Sequence, residues 1–370
     1  MRESLLDVEE SSLRETFQSI GEPGYRVAQV LDWIYQKKVP TFAEMTNLPI
    51  HLRDFLDNHY KIDPLTLLNY QESADGTLKF LFGLGDNEKI ESVLIPMNQN
   101  LTLCISTQVG CPLDCKFCLT GVMGYTRNLT AGEILGQVLF IQRWLGPRNR
   151  ISNIVFMGMG EPLANYQNTI KAIRVMLSEK GLNLSNRKIT VSTSGIVPGI
   201  KKLGQEDFIV NLAVSLHAPS NDLRSQLMPI NRKYPLEMLL EACREYPLPK
   251  RRRITFEYVL LKGVNDRPDH AKELAKILKG FRCKINLLPF NEAPELPYER
   301  PSDAEVLRFQ KILIEQGYSV FIRTSRGRDI LAACGQLAIR SSNRGCSGFK
   351  LRPMSSATAS AGFFPSKSMA

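Results

Sequence analysis

The sequence predicts an α/β fold in which parallel strands alternate with helices, preceded by a small all-helical domain. Two observations lead to this prediction. Apolar residues within the first 75 residues recur at helical spacing. From about residue 97 onwards, short apolar runs alternate with helical patterns of 10 to 16 residues. This alternation is typical of β–α units built around parallel strands.

The all-helical domain is predicted for residues 1–75. Its densest amphipathic pattern covers 25–35, and a cluster of glycine and proline at 21–24 separates this pattern from an earlier helical segment. Pro49 and Pro64 bound a further helical segment.

The α/β domain is predicted for residues 97–339, and residues 76–96 are predicted to be connecting strands or a linker. The predicted strands are 101–106, 151–157, 187–192, 208–216, 254–261, 284–289 and 318–323. The predicted helices between them are 131–145, 166–180, 236–246, 268–279 and 302–316. The alternation alone leaves open whether the strands form a barrel or an open sheet. In both folds, reactive groups gather on loops at the C-terminal ends of the strands.

Composition excludes several classes of protein. Hydrophobic residues make up 43% of the chain and charged residues 23%, as in folded globular proteins. No apolar run reaches the ~18 residues of a membrane helix, and the N-terminus has no signal-peptide pattern. Eight cysteines are too few for a disulfide scaffold of this length. We therefore expect a cytoplasmic protein that is monomeric and does not bind membranes.

The charge is distributed unevenly along the chain. Residues 1–96 carry a net charge of −7, residues 97–339 carry +12, and residues 340–370 carry +5. A basic middle indicates a polyanionic partner, although the same charge could serve solubility alone. Residues 340–370, which include Cys346, are rich in serine and have no acidic residue, so they are predicted to form a disordered basic tail.

The sharpest motif is the C-x3-C-x2-C run of Cys111, Cys115 and Cys118, just after the first predicted strand of the α/β domain. Three thiolates on one loop can each bind one iron of a [4Fe–4S] cluster and leave the fourth iron open to a small molecule. Zinc would require a fourth protein ligand, and Cys104 or His217 could supply it. The spacing favours the iron–sulfur cluster.

With this motif and the segment Ile-Val-Phe-Met-Gly-Met-Gly-Glu-Pro at 154–162, the chain resembles the radical S-adenosylmethionine (SAM) enzymes. Over residues 1–340 it resembles more closely the RlmN/Cfr family of RNA methyltransferases, and in particular its RlmN members, which methylate adenine at C2. The matching segments are 106–111, 158–163, 191–195, 215–219, 284–287 and 329–337. The resemblance implies a partial (β/α)6 barrel of the radical SAM type.

The resemblance also assigns contacts with SAM to residues near successive strand ends. These residues are Gly160, Glu161, Ser192, Ser215, Leu216, His217 and Asn291. Glu161 can pair with the SAM ammonium group, and Gly160 permits a close approach of the backbone. Taken one at a time, the polar residues would more often be helix caps or satisfied hydrogen-bonding groups.

Two further cysteines acquire roles from the resemblance. Cys334 corresponds to the cysteine that carries the methyl group as S-methylcysteine, and Cys104 to the cysteine that resolves the intermediate by forming a disulfide with it. Basic residues that flank Cys334 could favour its thiolate. Without the resemblance, Cys104 would be interpreted as a thiol of the core. Cys243 and Cys283 are interpreted as structural.

The resemblance implies a radical reaction that uses two molecules of SAM per methyl group. The first SAM methylates Cys334, and the second is cleaved by the reduced cluster to a radical that removes hydrogen from this methyl group. The resulting methylene radical adds to adenine C2, Glu91 accepts the C2 proton, and Cys104 attacks Cys334 to release the product. Without the family, Glu91 would be a solvated strand residue.

The implied partners are 23S rRNA, at an adenine of the peptidyl transferase centre, and tRNA, at the adenine 3′ of the anticodon. An external electron donor of the flavodoxin or ferredoxin type is also implied. Two alternatives stay open at this stage. One is a Cfr-like methyltransferase that modifies adenine C8, since the residue chemistry does not separate C2 from C8. The other is a non-catalytic, zinc-stabilised RNA-binding module.

Overall fold

A computed structural model describes residues 2–97 and 100–339 of the chain, so the predicted tail with Cys346 lies outside the described residues. The strands are β1 (Glu3–Ser4), β2 (Tyr60–Lys61), β3 (Thr66–Glu72), β4 (Leu78–Gly83), β5 (Lys89–Met97), β6 (Asn100–Cys104), β7 (Gln108–Gly110), β8 (Tyr125–Asn128), β9 (Ile151–Phe156), β10 (Ile189–Thr193), β11 (Asn211–Ser215), β12 (Ile254–Leu260), β13 (Cys283–Pro289) and β14 (Ser319–Ile322). The α-helices are α1 (Glu10–Ser19), α2 (Tyr25–Asp32), α3 (Ile50–His59), α4 (Leu119–Val122), α5 (Ala131–Leu145), α6 (Tyr166–Leu177), α7 (Val197–Leu203), α8 (Asn221–Leu227), α9 (Leu236–Glu245), α10 (Pro268–Ile277) and α11 (Asp303–Glu315). Shorter helical turns occupy Leu5–Asp7, Trp33–Lys37, Phe42–Glu44, Asn186–Lys188, Pro229–Arg232 and Arg328–Ile330.

Ten of these strands form one sheet in the order β14-β13-β12-β11-β10-β9-β6-β5-β4-β3. The seven strands from β14 to β6 are parallel, and β5, β4 and β3 continue the sheet as an antiparallel meander. Because the parallel strands lie side by side in chain order and their crossovers share one hand, the connecting helices cover one face. Side chains of β5, β6, β13 and β14 line a common cavity on the other face, so the sheet curls into a partial barrel. The predicted α/β fold is thus confirmed, and the open doubly wound sheet, which needs a reversal of strand order, is excluded.

The alternation of side chains along the barrel strands decides which residues face the interior. In β12, Glu257 and Val259 line the central cavity, whereas Phe256 and Tyr258 are fully buried in the layer beneath the helices. This alternation follows from the two-residue period of a strand. By the same rule, Cys104 at the end of β6 points into the barrel.

The structure corrects the prediction that residues 1–75 are entirely helical. The last helix of this region ends at His59, and residues 66–72 form β3. The strand was missed because its buried and exposed positions do not alternate, and a register shift interrupts its pairing between Leu67 and Asn69. No helix in the described residues is both long and apolar enough to cross a membrane.

The N-terminal region is fastened to the start of α5. The Asp7 carboxylate accepts hydrogen bonds from the Gly132 N–H at 2.6 Å and the Thr130 hydroxyl at 2.9 Å. A Cβ on Gly132 would lie 2.6 Å from an Asp7 oxygen, so glycine permits this approach. Thr130 and Glu133 also form a capping box, which satisfies backbone donors at the start of the helix. Beyond this contact, apolar side chains of the N-terminal helices and of the barrel form one continuous core.

A buried glutamine on α5 fixes the chain just after β6. The Gln137 side chain accepts hydrogen bonds from the Ser106 N–H at 2.8 Å and the Ser92 hydroxyl at 2.7 Å, and donates to the Ser106 carbonyl at 2.9 Å. The Ser106 hydroxyl in turn accepts a hydrogen bond from the Met159 N–H at 2.9 Å. This network joins α5, β5 and the loop after β9. It thereby fixes the segment of chain around Ser106, which precedes the cysteine motif.

We expect Gln137→Leu to destabilise the protein, because leucine fills a similar volume and leaves Ser106 and Ser92 unpaired in the core. An unsatisfied buried polar group costs about 1–3 kcal/mol, so the free energy of unfolding should fall by about 2 kcal/mol or more. Urea denaturation of the cluster-free protein measures this change. Gln18→Leu, on the exposed side of α1, is the matched control and should change it by less than about 0.5 kcal/mol. Equal stability of the two variants would contradict the role of the network.

Candidate active site

A β-hairpin holds the cysteine loop in place. The strands β7 and β8 pair antiparallel, and residues 111–124 connect them. Gly110 has a φ of +73°, and a Cβ at this position would lie 2.0 Å from the Gly124 carbonyl oxygen. The same oxygen accepts a hydrogen bond from the Cys111 N–H at 2.8 Å. The start of the loop is therefore fixed by a contact that only glycine permits.

Cys111, Cys115 and Cys118 all line one cavity at the C-terminal ends of the parallel strands, as predicted from the position of the motif. We call it the cluster cavity. Its other lining residues include Gly160, Glu161, Ser192, Ser215, His217, Glu257, Asn291 and Cys334. Six of the seven predicted SAM contacts thus lie around the same space as the three cysteines.

The three thiols line one cavity and supply the donor set of an iron–sulfur cluster, whereas a structural zinc ion would need a fourth protein ligand. The thiolates of a cluster each bind a different iron, so they surround a volume rather than a point. Burial raises the pKa of Cys111 to about 12 and that of Cys115 well above its usual value, and the Cys118 charge raises both further. Thiolates in this cavity therefore need bound cations, which the irons of a cluster would supply.

The segment after β9 combines a close backbone approach with a buried carboxylate. Gly160 has a φ of +96°, and a Cβ there would lie 2.5 Å from the Gln108 Cβ. The Glu161 carboxylate accepts hydrogen bonds from the Ser194 N–H at 2.7 Å and the Leu163 N–H at 3.2 Å. Burial raises the pKa of Glu161, against these hydrogen bonds. A cationic ligand in the cavity would favour its ionised form, and this matches the predicted contact with the SAM ammonium group.

His217 lies at the cavity wall as a neutral donor. Its backbone has a φ of +57°, and its Nδ1 accepts a hydrogen bond from the Val259 N–H at 2.9 Å. Burial, followed by the charge of Arg224, lowers the pKa of His217 to about 3. The ring is therefore uncharged at neutral pH with its proton on Nε2. Phe117 packs against it edge-on, with the two ring centroids 4.8 Å apart.

Asn291 reaches towards Cys334, whereas Leu216 does not reach the cavity. The Asn291 Nδ2 donates a hydrogen bond to the Cys334 carbonyl at 3.2 Å, and its buried Oδ1 has no hydrogen-bond partner in the part of the chain that the structure describes. Leu216 is fully buried, and its N–H donates to the Glu257 carbonyl at 3.0 Å. Its side chain does not line the cluster cavity, so the predicted SAM contact of Leu216 stays a prediction.

Cys334 lies on the wall between the cluster cavity and a second cavity inside the barrel. The second cavity has a volume of about 550 Å³ and is lined by Cys104 as well as Cys334, so we call it the cysteine-pair cavity. Both thiols are free. Burial raises the pKa of Cys104, and the charge of Cys334 is the next cause. The structure thus brings together the two cysteines that are 230 residues apart in sequence.

Basic residues act on the Cys334 thiol in the expected direction, since the charge of Arg323 lowers its pKa. Desolvation, followed by the charge of Glu257, outweighs this effect and raises the pKa of Cys334 to about 11. Sequence patterns do not indicate Glu257, because this carboxylate belongs to a strand whose seven residues are all buried. It accepts a hydrogen bond from the Asn286 amide at 2.9 Å.

The turn between β3 and β4 anchors the loop that carries Cys334. The Asp329 carboxylate accepts hydrogen bonds from the Ser73 hydroxyl at 2.5 Å and the Ala74 N–H at 3.1 Å, and these contacts lower the pKa of Asp329. The Asp75 carboxylate in return accepts one from the Gly327 N–H at 3.0 Å. Sequence reasoning missed this anchor, although the glycine-containing segment at 73–76 has the composition of a hairpin turn.

Glu91 is buried at the other end of the same loop. Its carboxylate lies 3.1 Å from the Lys79 Nζ and accepts a hydrogen bond from the Ala338 N–H at 3.1 Å. The interpretation as a solvated strand residue was therefore wrong. Glu91 does not line the cluster cavity or the cysteine-pair cavity, although Val93, two residues along the same face of β5, lines the latter. Its role as a proton acceptor stays a prediction.

Several basic residues line the cysteine-pair cavity, which gives it a positive wall. They are Arg253, Lys284, Arg323 and Arg326. In contrast, Arg252 of the basic run 250–253 donates hydrogen bonds to the Ile209 carbonyl and to Asn186, so it is held by the protein. Arg253 is therefore placed to contact phosphate groups of a polyanion at the cavity wall, whereas Arg252 is already engaged by hydrogen bonds within the protein.

Two family models match the chain. Residues 105–275 match the Radical SAM superfamily, and residues 3–62 match the ribosomal RNA large subunit methyltransferase N-terminal domain. The chain is 52% identical over 341 residues to the dual-specificity RNA methyltransferase RlmN of Syntrophus aciditrophicus, covering 91% of this chain and 98% of the relative. It is 49% identical over 338 residues to the protein of the same name from Geobacter sulfurreducens, covering 90% and 92%.

A solved structure is similar over nearly the whole fold. The crystal structure of a radical SAM methyltransferase from Sphaerobacter thermophilus matches with a TM-score of 0.87 and 46% sequence identity. The match covers 90% of this chain and 99% of that chain. Because both fold and sequence agree, the predicted partial barrel of the radical SAM type is confirmed.

We expect Gly160→Ala to weaken SAM binding by about tenfold or more, equivalent to at least ~1.4 kcal/mol, because the new methyl group would collide with Gln108 and displace the segment before Glu161. Equilibrium dialysis with protein that contains the reconstituted cluster measures this affinity. Gly263→Ala is the matched control, since Gly263 also has a positive φ, of +70°, but has open space around it. Equal SAM affinities of the two variants would exclude Gly160 from the site.

Proposed function

We propose a reaction from the following premise: the chain belongs to the RlmN family of dual-specificity RNA methyltransferases, within the radical SAM superfamily. Enzymes of this superfamily use a [4Fe–4S] cluster and SAM. We infer that this chain methylates adenine at C2 in 23S rRNA, in the peptidyl transferase centre, and in tRNA, 3′ of the anticodon. Cys111, Cys115 and Cys118 would hold the cluster, and the residues around the cluster cavity would hold SAM.

The observation that supports this proposal best is the position of Cys334 on the wall shared by two cavities. One side of this wall holds the three cysteines of the motif, and the other holds Cys104. A carrier of a one-carbon unit needs access to its donor on one side and to its acceptor on the other. An adenine in the cysteine-pair cavity would meet Cys334 and Cys104 together.

Cys334 would first lose its proton and take a methyl group on its sulfur. When bound, SAM and the cluster supply this methyl group and, after a one-electron reduction, a radical that removes a hydrogen atom. The Cys334 methylene group would then form a bond to adenine C2, and the adduct would return one electron to the cluster, which leaves RNA attached to the protein. Such a covalent route suits C2, because this electron-poor carbon is not a nucleophile that could attack SAM directly.

Release of the product would require Cys104 and a base. A sulfur–sulfur bond between Cys104 and Cys334 forms as the carbon–sulfur bond of Cys334 breaks, and the departing methylene group gains a proton and becomes the methyl group. We propose Glu91 as the acceptor of the C2 proton. For this role the Glu91 carboxylate would have to exchange its contact with Lys79 or with the Ala338 N–H for the substrate, since it makes both contacts in the structure.

Adenine C2 lies on a base edge that a stacked helix conceals, so the target base has to be displaced from its stack or presented in a loop. We propose that residues 1–75 form a domain that recognises RNA, joined through 76–96 to the catalytic domain at 97–339. We also propose an electron donor of the flavodoxin or ferredoxin type and a monomeric enzyme in the cytoplasm, where a reducing environment would reopen the disulfide.

We expect RNA treated with the reconstituted enzyme, SAM and a reductant to contain 2-methyladenosine. Mass spectrometry of the nucleosides, compared with synthetic 2-methyladenosine and 8-methyladenosine, identifies the methylated carbon. Exclusive formation of the 8-methyl product would support the Cfr-like alternative instead. A colourless, anaerobically purified protein that contains stoichiometric zinc and no iron would contradict the enzyme altogether, because the cluster supplies the electron.

We expect Cys104→Ala and Cys334→Ala to fail at different steps. Cys104→Ala keeps the carrier but lacks the second sulfur, so RNA should stay attached to Cys334 through a thioether that survives denaturation. Cys334→Ala should form neither product nor adduct. Denaturing gels with labelled RNA distinguish these outcomes, and Cys243→Ala, which removes a buried thiol remote from both cavities, is the matched control.

The double variant Cys104→Ala/Cys334→Ala identifies the attachment site, because it should lose the adduct. The other interpretation is that Cys104 only packs in the core. In that case Cys104→Ala would release free methylated RNA, at a rate lowered only by reduced stability. Such a product at near-normal yield would remove Cys104 from the mechanism.

A further inference from the structure

Arg224, on α8, is a fully buried arginine without a carboxylate partner in the part of the chain that the structure describes. Its guanidinium donates hydrogen bonds to the carbonyl oxygens of Ser194 at 2.7 Å, Ser215 at 3.0 Å and Leu216 at 3.0 Å, and to the Asn231 side chain at 3.0 Å. These neutral acceptors satisfy its donors but do not balance its charge. A buried charge without a counter-charge is costly, so a second reason for its presence is needed.

The fork of Arg224 joins the ends of two strands that carry the SAM site. Ser194 follows β10, and Ser215 ends β11. A planar guanidinium can reach both strand ends at once, because its five donors point in fixed directions. Hydrogen bonding alone therefore explains the geometry of the side chain, but a neutral donor could provide the same contacts without the cost of a buried charge.

The positive charge lies beside the cysteine loop. The Leu227 carbonyl, at the end of the helix that carries Arg224, accepts a hydrogen bond from the Lys116 N–H at 3.0 Å. Leu227 and Met228 pack with Cys115 in one buried apolar cluster. Ser194 and Ser215, whose carbonyl oxygens accept hydrogen bonds from Arg224, both line the cluster cavity.

Two titratable groups near Arg224, Cys243 and His217, are neutral and cannot balance its charge. Burial raises the pKa of Cys243 to about 12 and lowers that of His217 to about 3, so both are uncharged at neutral pH. Burial also lowers the pKa of Arg224, to about 10, and the side chain still stays protonated at neutral pH. A negatively charged group bound by the cysteine loop would supply the missing charge.

We propose that Arg224 is the internal counter-cation of the iron–sulfur cluster: its fixed charge favours the reduced cluster, which is more negative than the oxidised one. This inference rests on the cluster assigned under the proposed function. Cluster potentials respond to nearby charge and to burial, and Arg224 combines a charge with complete burial. Arg224 acts through the cluster and is therefore a positioning residue rather than a catalytic one.

The test compares the midpoint potential of the cluster in Arg224→Met and Arg224→Lys with that of the wild-type enzyme. Anaerobic redox titration, followed by electron paramagnetic resonance, measures the potential, and iron analysis measures cluster content. Arg224→Met removes the charge, so its potential should shift to a more negative value. Arg224→Lys keeps the charge but loses the fork, so it should retain most of the wild-type potential. Arg244→Met, at an exposed position of α9, is the matched control and should not shift the potential.

A purely structural role of Arg224 predicts a different pattern, in which Met and Lys disturb the site alike. A wild-type potential in fully loaded Arg224→Met would overturn the proposal, as would equal shifts in the Met and Lys variants. If Arg224→Met binds no cluster, Arg224→Gln, which keeps an amide donor but no charge, has to show the same negative shift. A wild-type protein that binds no iron would instead contradict the proposed function itself.

Discussion

The site depends on one constraint, namely that the Cys334 loop is held between two parts of the chain that are remote in sequence. At its start, Asp329 and Gly327 are bound by the turn between β3 and β4. At its end, the Leu119 N–H of the cysteine loop donates to the Gly335 carbonyl at 2.8 Å. Cys334 lies between these contacts, so hydrogen bonds on both sides fix its position in the site.

This constraint gives the antiparallel meander a role beyond sheet extension. The parallel strands alone would build the cluster cavity, because their C-terminal ends meet at one edge. The meander adds the wall that contains Val93, and it contributes Lys79 and Glu91 next to the Cys334 loop. The cysteine-pair cavity therefore exists only because the barrel is continued by strands of opposite direction.

Electrostatics adds a second requirement. Burial disfavours the ionised forms of Cys111, Cys115 and Glu161. Arg224 is buried as well, and its hydrogen-bond acceptors in the described residues are all neutral. The disfavoured charges are negative on the cysteines and Glu161 and positive on Arg224, and these groups lie around the same cavity. A ligand set that brings both positive and negative charge would balance them together, so that binding of the cofactors also completes the fold of the site.

Local sequence patterns were sufficient for the elements and for part of the chemistry. Apolar periodicity located all seven parallel strands, and the spacing of Cys111, Cys115 and Cys118 identified their shared loop. Periodicity failed at β3, where an edge strand with a register shift has no alternation. It also could not identify Glu257, which lies in a strand whose residues are all buried, or Arg224, which lies in a short and mostly polar helix where an arginine is expected to be exposed.

The sequence by itself determined which residues form strands, which cysteines share a loop and, through its resemblance to a family, which reaction to expect. Only the tertiary structure decided that Cys104 faces the same cavity as Cys334, that Leu216 points away from the cluster cavity, and that Glu91 pairs with Lys79. The physical reason is that periodicity is a local property of the chain. The convergence of side chains depends on sheet curvature, strand register and long-range hydrogen bonds, which are fixed only when distant segments pack together.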